Sequence, residues 1–220
     1  MKRNILTLIL VIMSFTLEAQ KNNLQQKEQQ FNYKPFFIDK AQIKPPCDLL
    51  LTQPLLTLGI EEYYQRTSKI KIIKAEFNNK KNIYSRSIIM IIDSNKNRNN
   101  VEAAIRKKEE VRVEFALIHI NFKQIPKKMQ DEIMYTNIPF GKLLVNNKIE
   151  TTSTNRKYFY VYCNKDISKI IFCKKNNKIY GRINRIISKE NNKWIANVTE
   201  ILSGTKCKDK TCNTLIKQEK

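Results

Sequence analysis

The stretch NKIYGRINRIISKENNKWIANVTEIL, residues 177–202, carries the clearest structural signal in the chain. Isoleucine, valine and tryptophan alternate with polar residues on both sides of SKENNK, a pattern typical of two β-strands joined by a short turn. Arg182 lies near one end of this hairpin and Glu200 near the other, each among apolar neighbours. A buried charge without a partner is costly, so these residues are expected either to form an internal salt bridge or to face a cleft.

The rest of the chain adds more strands and several short helices. Asp48 is a candidate helix N-cap, Pro54 breaks the apolar pattern that follows it, and Pro126 and Pro139 each open a short helical segment. β-Branched and aromatic residues predict further strands in KIKIIKAEF, NIYSRSIIMIID, VRVEFALIHINF and ETTSTNRKYFYVYC. With the hairpin, about six mostly antiparallel strands and roughly three or four small helices predict a single α+β domain, with the helices packed over one sheet.

Composition limits the classes of partner. The chain has 220 residues, of which 41% are apolar, enough for one domain with a core. Its formal net charge is +21, but the lysines are dispersed among asparagine and isoleucine, a pattern that an AT-rich genome also produces. The sequence has no arginine-rich tract, zinc-finger spacing or RNP-like motif, so nucleic acid is not the predicted partner. A basic protein can still draw a small anionic metabolite into a cleft.

The N-terminal residues MKRNILTLILVIMSFTLEAQ have the layout of a secretory signal, with Lys2 and Arg3 before an apolar run and Ala19 at the candidate cleavage site. The apolar run is too short to span a bilayer, so no membrane span is predicted in the mature form. The alternative is a buried N-terminal helix of a cytoplasmic or plastid protein. Residues 1–19 are thus a candidate signal peptide, 20–46 a polar linker, 47–204 the folded domain and 205–220 a basic tail.

The five cysteines match no zinc or redox spacing. Cys207 and Cys212, in CKDKTC, are a candidate disulfide if the protein is exported, and unpaired thiols if it is not. An odd count leaves at least one thiol free in either case.

Few residues could carry chemistry. His119 is the single histidine, it lies in a β pattern, and GxSxG is absent, so it is interpreted as structural and neither a metal site nor a cofactor is predicted. Arg86 lies in an isoleucine-rich strand, and its planar guanidinium suits bidentate binding of a carboxylate. Burial of Glu200 would raise its pKa, as a general acid requires. An internal salt bridge remains the alternative for these residues.

Three ordered blocks of sequence resemble the chorismate pyruvate-lyase family, whose members are 4-hydroxybenzoate synthetases. The first block is DLLLTQPLLTLGIEEYY through KIKIIKAEF and IYSRSIIMII, the second is QIPKKMQDEIMYTNIPFGKLLVNNKIET, and the third is IYGRINRIISKENNKWIANVTEIL. Each block alone is a weak signal, whereas their order and spacing are fairly specific. The resemblance covers about residues 47–204 and implies a chorismate lyase-like fold.

The resemblance also implies roles for particular residues. Arg86 aligns with the arginine that holds a substrate carboxylate, and Glu200 aligns with the glutamate of the last strand, which makes these two the predicted catalytic residues. Further ligand-binding positions implied by the resemblance are Arg182, Phe140, Gly141 and Leu56. The implied reaction eliminates pyruvate from chorismate to give 4-hydroxybenzoate without metal or cofactor, and two arginines could clamp the two carboxylates of chorismate.

Two features depart from the family pattern. Extra residues at about 95–110 and 161–177 are interpreted as loop insertions, which folds tolerate. A secreted lyase would also lack an obvious supply of chorismate. The alternative is therefore a non-catalytic protein that binds a small aromatic carboxylate on the same fold, since effector domains of some bacterial transcription regulators also resemble chorismate lyase. Such domains normally follow a winged helix domain, which the residues before Cys47 are not expected to supply.

Overall fold

The structure is a computed structural model that describes residues 33–208 and 211–212. Seven strands form one sheet in which every neighbouring pair is antiparallel, in the order β1-β5-β6-β7-β4-β3-β2. Their bounds are β1 Phe36–Ile38, β2 Ser68–Asn78, β3 Ile83–Asp93, β4 Glu110–Asn121, β5 Thr151–Tyr162, β6 Lys178–Ser188 and β7 Trp194–Leu202. Two short strands, β8 Cys207–Lys208 and β9 Thr211–Cys212, pair separately. The predicted α+β class with one antiparallel sheet is confirmed.

The helices of the described chain divide between the two faces of the sheet. Their bounds are α1 Cys47–Leu51, α2 Leu56–Tyr64, α3 Val101–Arg106, α4 Lys127–Tyr135, α5 Phe140–Asn146 and α6 Lys165–Ile171. Apolar residues of α1, α2, α4 and α5 pack in one core cluster against alternate residues of the central strands, on what we call the inner face. Val101 of α3 and Ile170 of α6 pack on Ile89 and Ile91 on the opposite, outer face.

The hairpin of β6 and β7 forms as its alternation predicts. Its register places Arg182 directly opposite Glu200, and both side chains lie on the inner face with Ile186 and Val198. Because side chains alternate between faces along a strand, the register that buries Ile186 and Val198 on the inner face also buries this charged pair.

Gly181, the residue before Arg182, lies where neighbouring strands approach closely. A Cβ atom built there would lie 2.5 Å from the backbone oxygen of Glu200 and 2.6 Å from the ring of Phe159 on β5. Neither neighbour is the free end of a flexible side chain, so the close approach of three strands requires a residue without a side chain.

Two segments contain more regular structure than their composition predicts. Residues 36–38, within the range assigned to a polar linker, pair with β5 as an edge strand, and Ile43 is buried in the core. The range 161–177, interpreted as a loop insertion, contains α6, whose Ile167 and Ile171 are buried. In the first case tertiary pairing overrides a weak local preference. Residues 1–32 and 213–220, including the candidate signal peptide, lie outside the described residues.

The structure contains a disulfide that the sequence did not predict. A disulfide joins Cys163 at the end of β5 to Cys173 just after α6, with Cα atoms 6.0 Å apart. Cys47 is a buried free thiol, and burial raises its pKa to about 12. Cys207 is disulfide-bonded, and Cys212 lies opposite it in the β8–β9 register. The pairing of Cys207 with Cys212 stays a prediction.

In the described part of the chain, no helix has the length and apolar character needed to cross a bilayer.

Candidate functional site

A narrow cavity of about 30 Å³ lies between the inner face of the sheet and the helices. By the same measure a water molecule needs about 10–15 Å³, so the space accommodates about two waters. Its walls are mostly apolar, and three ionisable side chains interrupt them: Glu114 of β4, Arg182 of β6 and Glu200 of β7. The other lining residues are Pro54, Leu55, Leu56, Thr57, Ile88, Met90, Ile118, Phe140, Gly141, Ile186 and Val198.

Arg182 is the most buried charged group at this cavity, with 1% of its surface exposed. Its Nε donates to Glu200 Oε2 at 2.5 Å, and its Nη1 donates to the carbonyl oxygens of Leu51 and Gln53. Leu51 is the last residue of α1, so its carbonyl lacks a partner within that helix. Arg182 therefore neutralises Glu200 and holds the chain between α1 and α2 over the cavity.

One amino group of Arg182 remains available. Among the described residues no hydrogen bond reaches Nη2, whereas Nε and Nη1 are occupied. A guanidinium presents five N–H donors in a planar arrangement, so Nη2 can donate to a further acceptor without loss of the ion pair.

Glu114 is a second carboxyl at the same cavity. It is 2% exposed, and its Oε2 has no hydrogen-bond partner in the described structure. Burial raises its pKa well above the usual range, the negative charge of Glu200 raises it further, and Arg182 lowers it. Since burial dominates and the cation is already paired with Glu200, Glu114 is the carboxyl of the site that burial shifts toward its protonated form.

Arg86 lies on the inner face but is not among the residues that line the cavity. Its Nη1 donates to the carbonyl of Ile133 at 2.9 Å, in the last turn of α4, where helix carbonyls lack partners. Its Nε and Nη2 are buried without hydrogen-bond partners, and burial lowers its pKa to about 10. Ile118, its cross-strand neighbour, does line the cavity, so Arg86 lies just behind that wall.

Phe140, Gly141 and Leu56, the positions implied by the family resemblance, all line the cavity. Gly141, the second residue of α5, lies close to α2, since a Cβ there would be 3.0 Å from the hydroxyl oxygen of Thr57. The structure thus brings Arg182, Glu200, Phe140, Gly141 and Leu56 together around one space.

Glu114 is the site residue that sequence reasoning missed. It lies in VRVEFALIHINF, an acid in an apolar strand, which is the same signal that identified Glu200. The alternation of polar and apolar residues could not show on which face of the sheet Glu114 lies. A register shift between Met90 and Ile91 changes which residues of β4 face inward.

His119, interpreted as structural, is exposed on the outer face, where its Nδ1 lies 2.8 Å from the hydroxyl oxygen of Ser85. Within the described residues no group of three or more His, Cys, Asp or Glu side chains is arranged to hold a metal ion.

Fold and cavity define the class of protein: an α+β domain with one antiparallel sheet and a small internal cavity that carries an ion pair and a second carboxyl. No model of a known family matches the chain, and no curated protein sequence matches it.

Several solved structures share part of the arrangement. The ligand-binding domain of a protein assigned to the GntR family of transcriptional regulators, from Bordetella bronchiseptica, is 4% identical with a TM-score of 0.42, over 63% of this chain and 85% of that one. A GntR-family transcriptional regulator from Enterococcus faecalis is 12% identical with a TM-score of 0.38, over 61% of this chain and 93% of that one. The C-terminal domain of Yurk from Bacillus subtilis is 11% identical with a TM-score of 0.37, over 64% and 90%. Similarity at this level carries no information about what the chain binds or does.

Proposed function

We propose that this protein binds a small organic carboxylate, with an aromatic or similarly flat apolar body, in the cavity around Arg182. The observation that carries the proposal is the group of three ionisable side chains, Glu114, Arg182 and Glu200, at one cavity inside an otherwise apolar core. Buried charged groups are costly to stability, and their concentration at a concave site is typical of ligand binding.

The groups at the cavity fit such a ligand. Nη2 of Arg182 offers a cationic donor, and the protonated carboxyl of Glu114 offers a second donor, so both can bind carboxylate oxygens. Apolar side chains such as Ile88, Phe140 and Val198 supply the surface for a ring. A cation is a poorer fit, because the charge of Glu200 is already neutralised by Arg182.

A benzoate-sized ligand is larger than the space in this structure, so binding requires the lining to move outward. The segment between α1 and α2 supplies Pro54 and Leu55 to the wall, and its carbonyls accept hydrogen bonds from Arg182 and Arg156. Rearrangements of a loop on binding are common in regulatory and ligand-binding proteins.

Elimination of pyruvate from chorismate is the second candidate function. The three sequence blocks that resemble chorismate pyruvate-lyase support it, and so does the occurrence of Arg182, Glu200, Phe140, Gly141 and Leu56 at one cavity. The resemblance assigns the acid to Glu200, which must then be protonated when chorismate binds. Arg86, behind Ile118, would have to reach the ligand for the two-arginine clamp to form.

A paired experiment tests both functions. Purified protein is titrated with 4-hydroxybenzoate by calorimetry, and is separately incubated with chorismate while 4-hydroxybenzoate and pyruvate are measured. Binding without product supports the binding protein; product formation that Glu200→Gln abolishes supports the lyase. Absence of both binding and product would refute both functions.

The position of the ligand is tested without mutation by amide and methyl NMR. Leu56 and Gly141 signals are expected to shift on addition of 4-hydroxybenzoate, whereas His119 on the outer face serves as the internal control. Shifts confined to the outer face would contradict the proposed site.

We also propose that the protein is exported to an oxidising compartment. The Cys163–Cys173 disulfide supports this, because structural disulfides persist in secreted and periplasmic proteins and are rare in the cytosol. N-terminal sequencing of the mature protein is expected to show removal of residues 1–19; an intact Met1 or Lys2 would contradict export.

A further inference from the structure

The carboxyl of Glu114 is the unexplained group at the cavity. It lies one diagonal step from Glu200 on the inner face, because Ala116 is the residue paired with Glu200 and Glu114 is two positions before it. Both side chains line the cavity, yet within residues 33–208 only Glu200 of these two has an ion-pair partner. Neither the ion pair nor the apolar packing of the core accounts for an acid at this position.

The described residues place two charged side chains at the cavity beside Glu114. Glu200 on β7 and Arg182 on β6 are the charged residues that share its cavity, and the lining contributed by β3, α2 and α5 consists of residues that carry no charge. Arg86 on β3 lies behind Ile118 and is directed to the carbonyl of Ile133. Arg182 is thus the one cation that lines this cavity in the described part of the chain, and it pairs with Glu200 and not with Glu114.

We propose that Glu114 is the group that selects the ligand, by donating a hydrogen bond from its protonated carboxyl to the carboxylate of the bound acid. This inference rests on the proposed binding of a carboxylate and adds to it a residue and a proton requirement. The proton stays on Glu114 or is shared with the ligand oxygen, and no bond other than this hydrogen bond forms. An unpartnered buried Oε2 then gains the partner that it lacks in the structure.

Binding is consequently coupled to pH with a definite sign. An ionised Glu114 would repel the ligand carboxylate and must take up a proton before binding. Affinity for an acid is therefore constant while Glu114 is protonated and falls about tenfold per pH unit once the pH exceeds its pKa. An amine of the same shape would show the opposite trend, because it binds the ionised carboxyl.

The test compares 4-hydroxybenzoate with 4-hydroxybenzylamine by calorimetry from about pH 5 to pH 9, over which ordinary Glu side chains are ionised. Wild-type protein is expected to bind the acid tightly while Glu114 is protonated, to lose affinity above the pH at which Glu114 ionises, and to bind the amine weakly as long as the carboxyl stays protonated. Glu114→Gln keeps an N–H donor of the same shape, so it is expected to bind the acid with no pH dependence. Glu110→Gln, in the same strand, is the matched control and should behave as wild type.

The protonation state of Glu114 is measured without any ligand, from the infrared difference spectrum between wild-type protein and Glu114→Gln. A protonated-carboxyl band that disappears in Glu114→Gln is expected near neutral pH; its absence in wild type overturns the role of Glu114 and leaves the proposed binding function standing. Acid binding by wild type must weaken at the pH at which this band is lost; a mismatch between the two, or tighter binding of the amine while the band is present, also overturns the role of Glu114. If the band is present but no acid binds, the binding function itself fails, and the role of Glu114 fails with it.

Discussion

Arg182 connects three parts of the molecule through one side chain. Arg182 pairs with Glu200 across the hairpin and donates hydrogen bonds to carbonyls at the α1–α2 connection. Only 1% of the Arg182 surface is exposed. Desolvation of a guanidinium is compensated only when each charged and polar group that it faces is satisfied. We therefore expect the cost of its removal to come mainly from Glu200, left as a buried carboxylate without a cation.

Arg182→Leu is expected to lower the free energy of unfolding by about 3–5 kcal/mol, the usual cost of breaking a buried ion pair by removal of one partner. Arg185→Leu is the matched control, because Arg185 lies in the same strand but is exposed on the outer face. The control should change stability by about 0.5 kcal/mol or less. Urea denaturation of both variants measures the difference, and equal losses would show that the ion pair does not stabilise the fold.

Gly181 governs how closely three strands of the hairpin region approach. Gly181→Ala forces the new Cβ against the Glu200 backbone and the Phe159 ring, so we expect a loss of about 1–3 kcal/mol, as for other overpacked cores. The loss should appear as a shift in the urea midpoint with an unchanged m-value.

Gly59→Ala provides the comparison within α2. A Cβ at Gly59 would overlap Cγ of Gln53 and lie 3.1 Å from Cβ of Gln53, atoms close to the Gln53 backbone, so the connection between α1 and α2 would have to shift. Alanine is nevertheless favoured over glycine in a helix by about 1 kcal/mol. The helix preference for alanine offsets part of the overpacking cost, so this variant should lose less stability than Gly181→Ala, which has no such compensation. A destabilisation similar to that of Gly181→Ala would contradict the account given for the hairpin.

The disulfide between Cys163 and Cys173 secures α6 on the outer face. Arg112 of β4 adds to this attachment, because it donates to the carbonyl of Lys169 and lies over the Phe172 ring. Replacement of both cysteines by serine is expected to cost about 2–4 kcal/mol, and hydrogen exchange should report faster exchange in α6 with little change in α2. Uniform loss of protection across both helices would show that the disulfide stabilises the whole domain rather than this element.

At the scale of the whole molecule, the formal charge of +21 has a predictable consequence for stability. Like charges are closer together in the folded chain than in the unfolded one, and added salt screens their repulsion. We expect the melting temperature to rise between about 10 mM and 150 mM sodium chloride, over which the Debye length falls from about 30 Å to 8 Å. A fall in melting temperature would show that ion pairs such as Lys142–Glu61 outweigh the repulsion.

Local patterns predicted most of the secondary structure. Strand alternation identified six of the seven strands of the sheet, and Pro126 and Pro139 correctly located the starts of α4 and α5. The edge strand at 36–38 and helix α6 were not predicted, because the strand depends on pairing with β5 and the helix on packing of Ile170 against Ile89 and Ile91 of β3. Pairings of this kind leave little trace in local composition.

The sequence by itself determined the α+β class, the hairpin at 177–202 and the presence of charged residues in apolar strands. It left open whether Arg182 and Glu200 pair with each other or face a cleft, and the tertiary structure shows that they do both. Only the tertiary structure decided that Arg86 caps α4 while Glu114 joins the cavity. The physical reason is that the face on which a side chain lies depends on strand register and bulges, which are fixed by packing of the whole sheet against its helices.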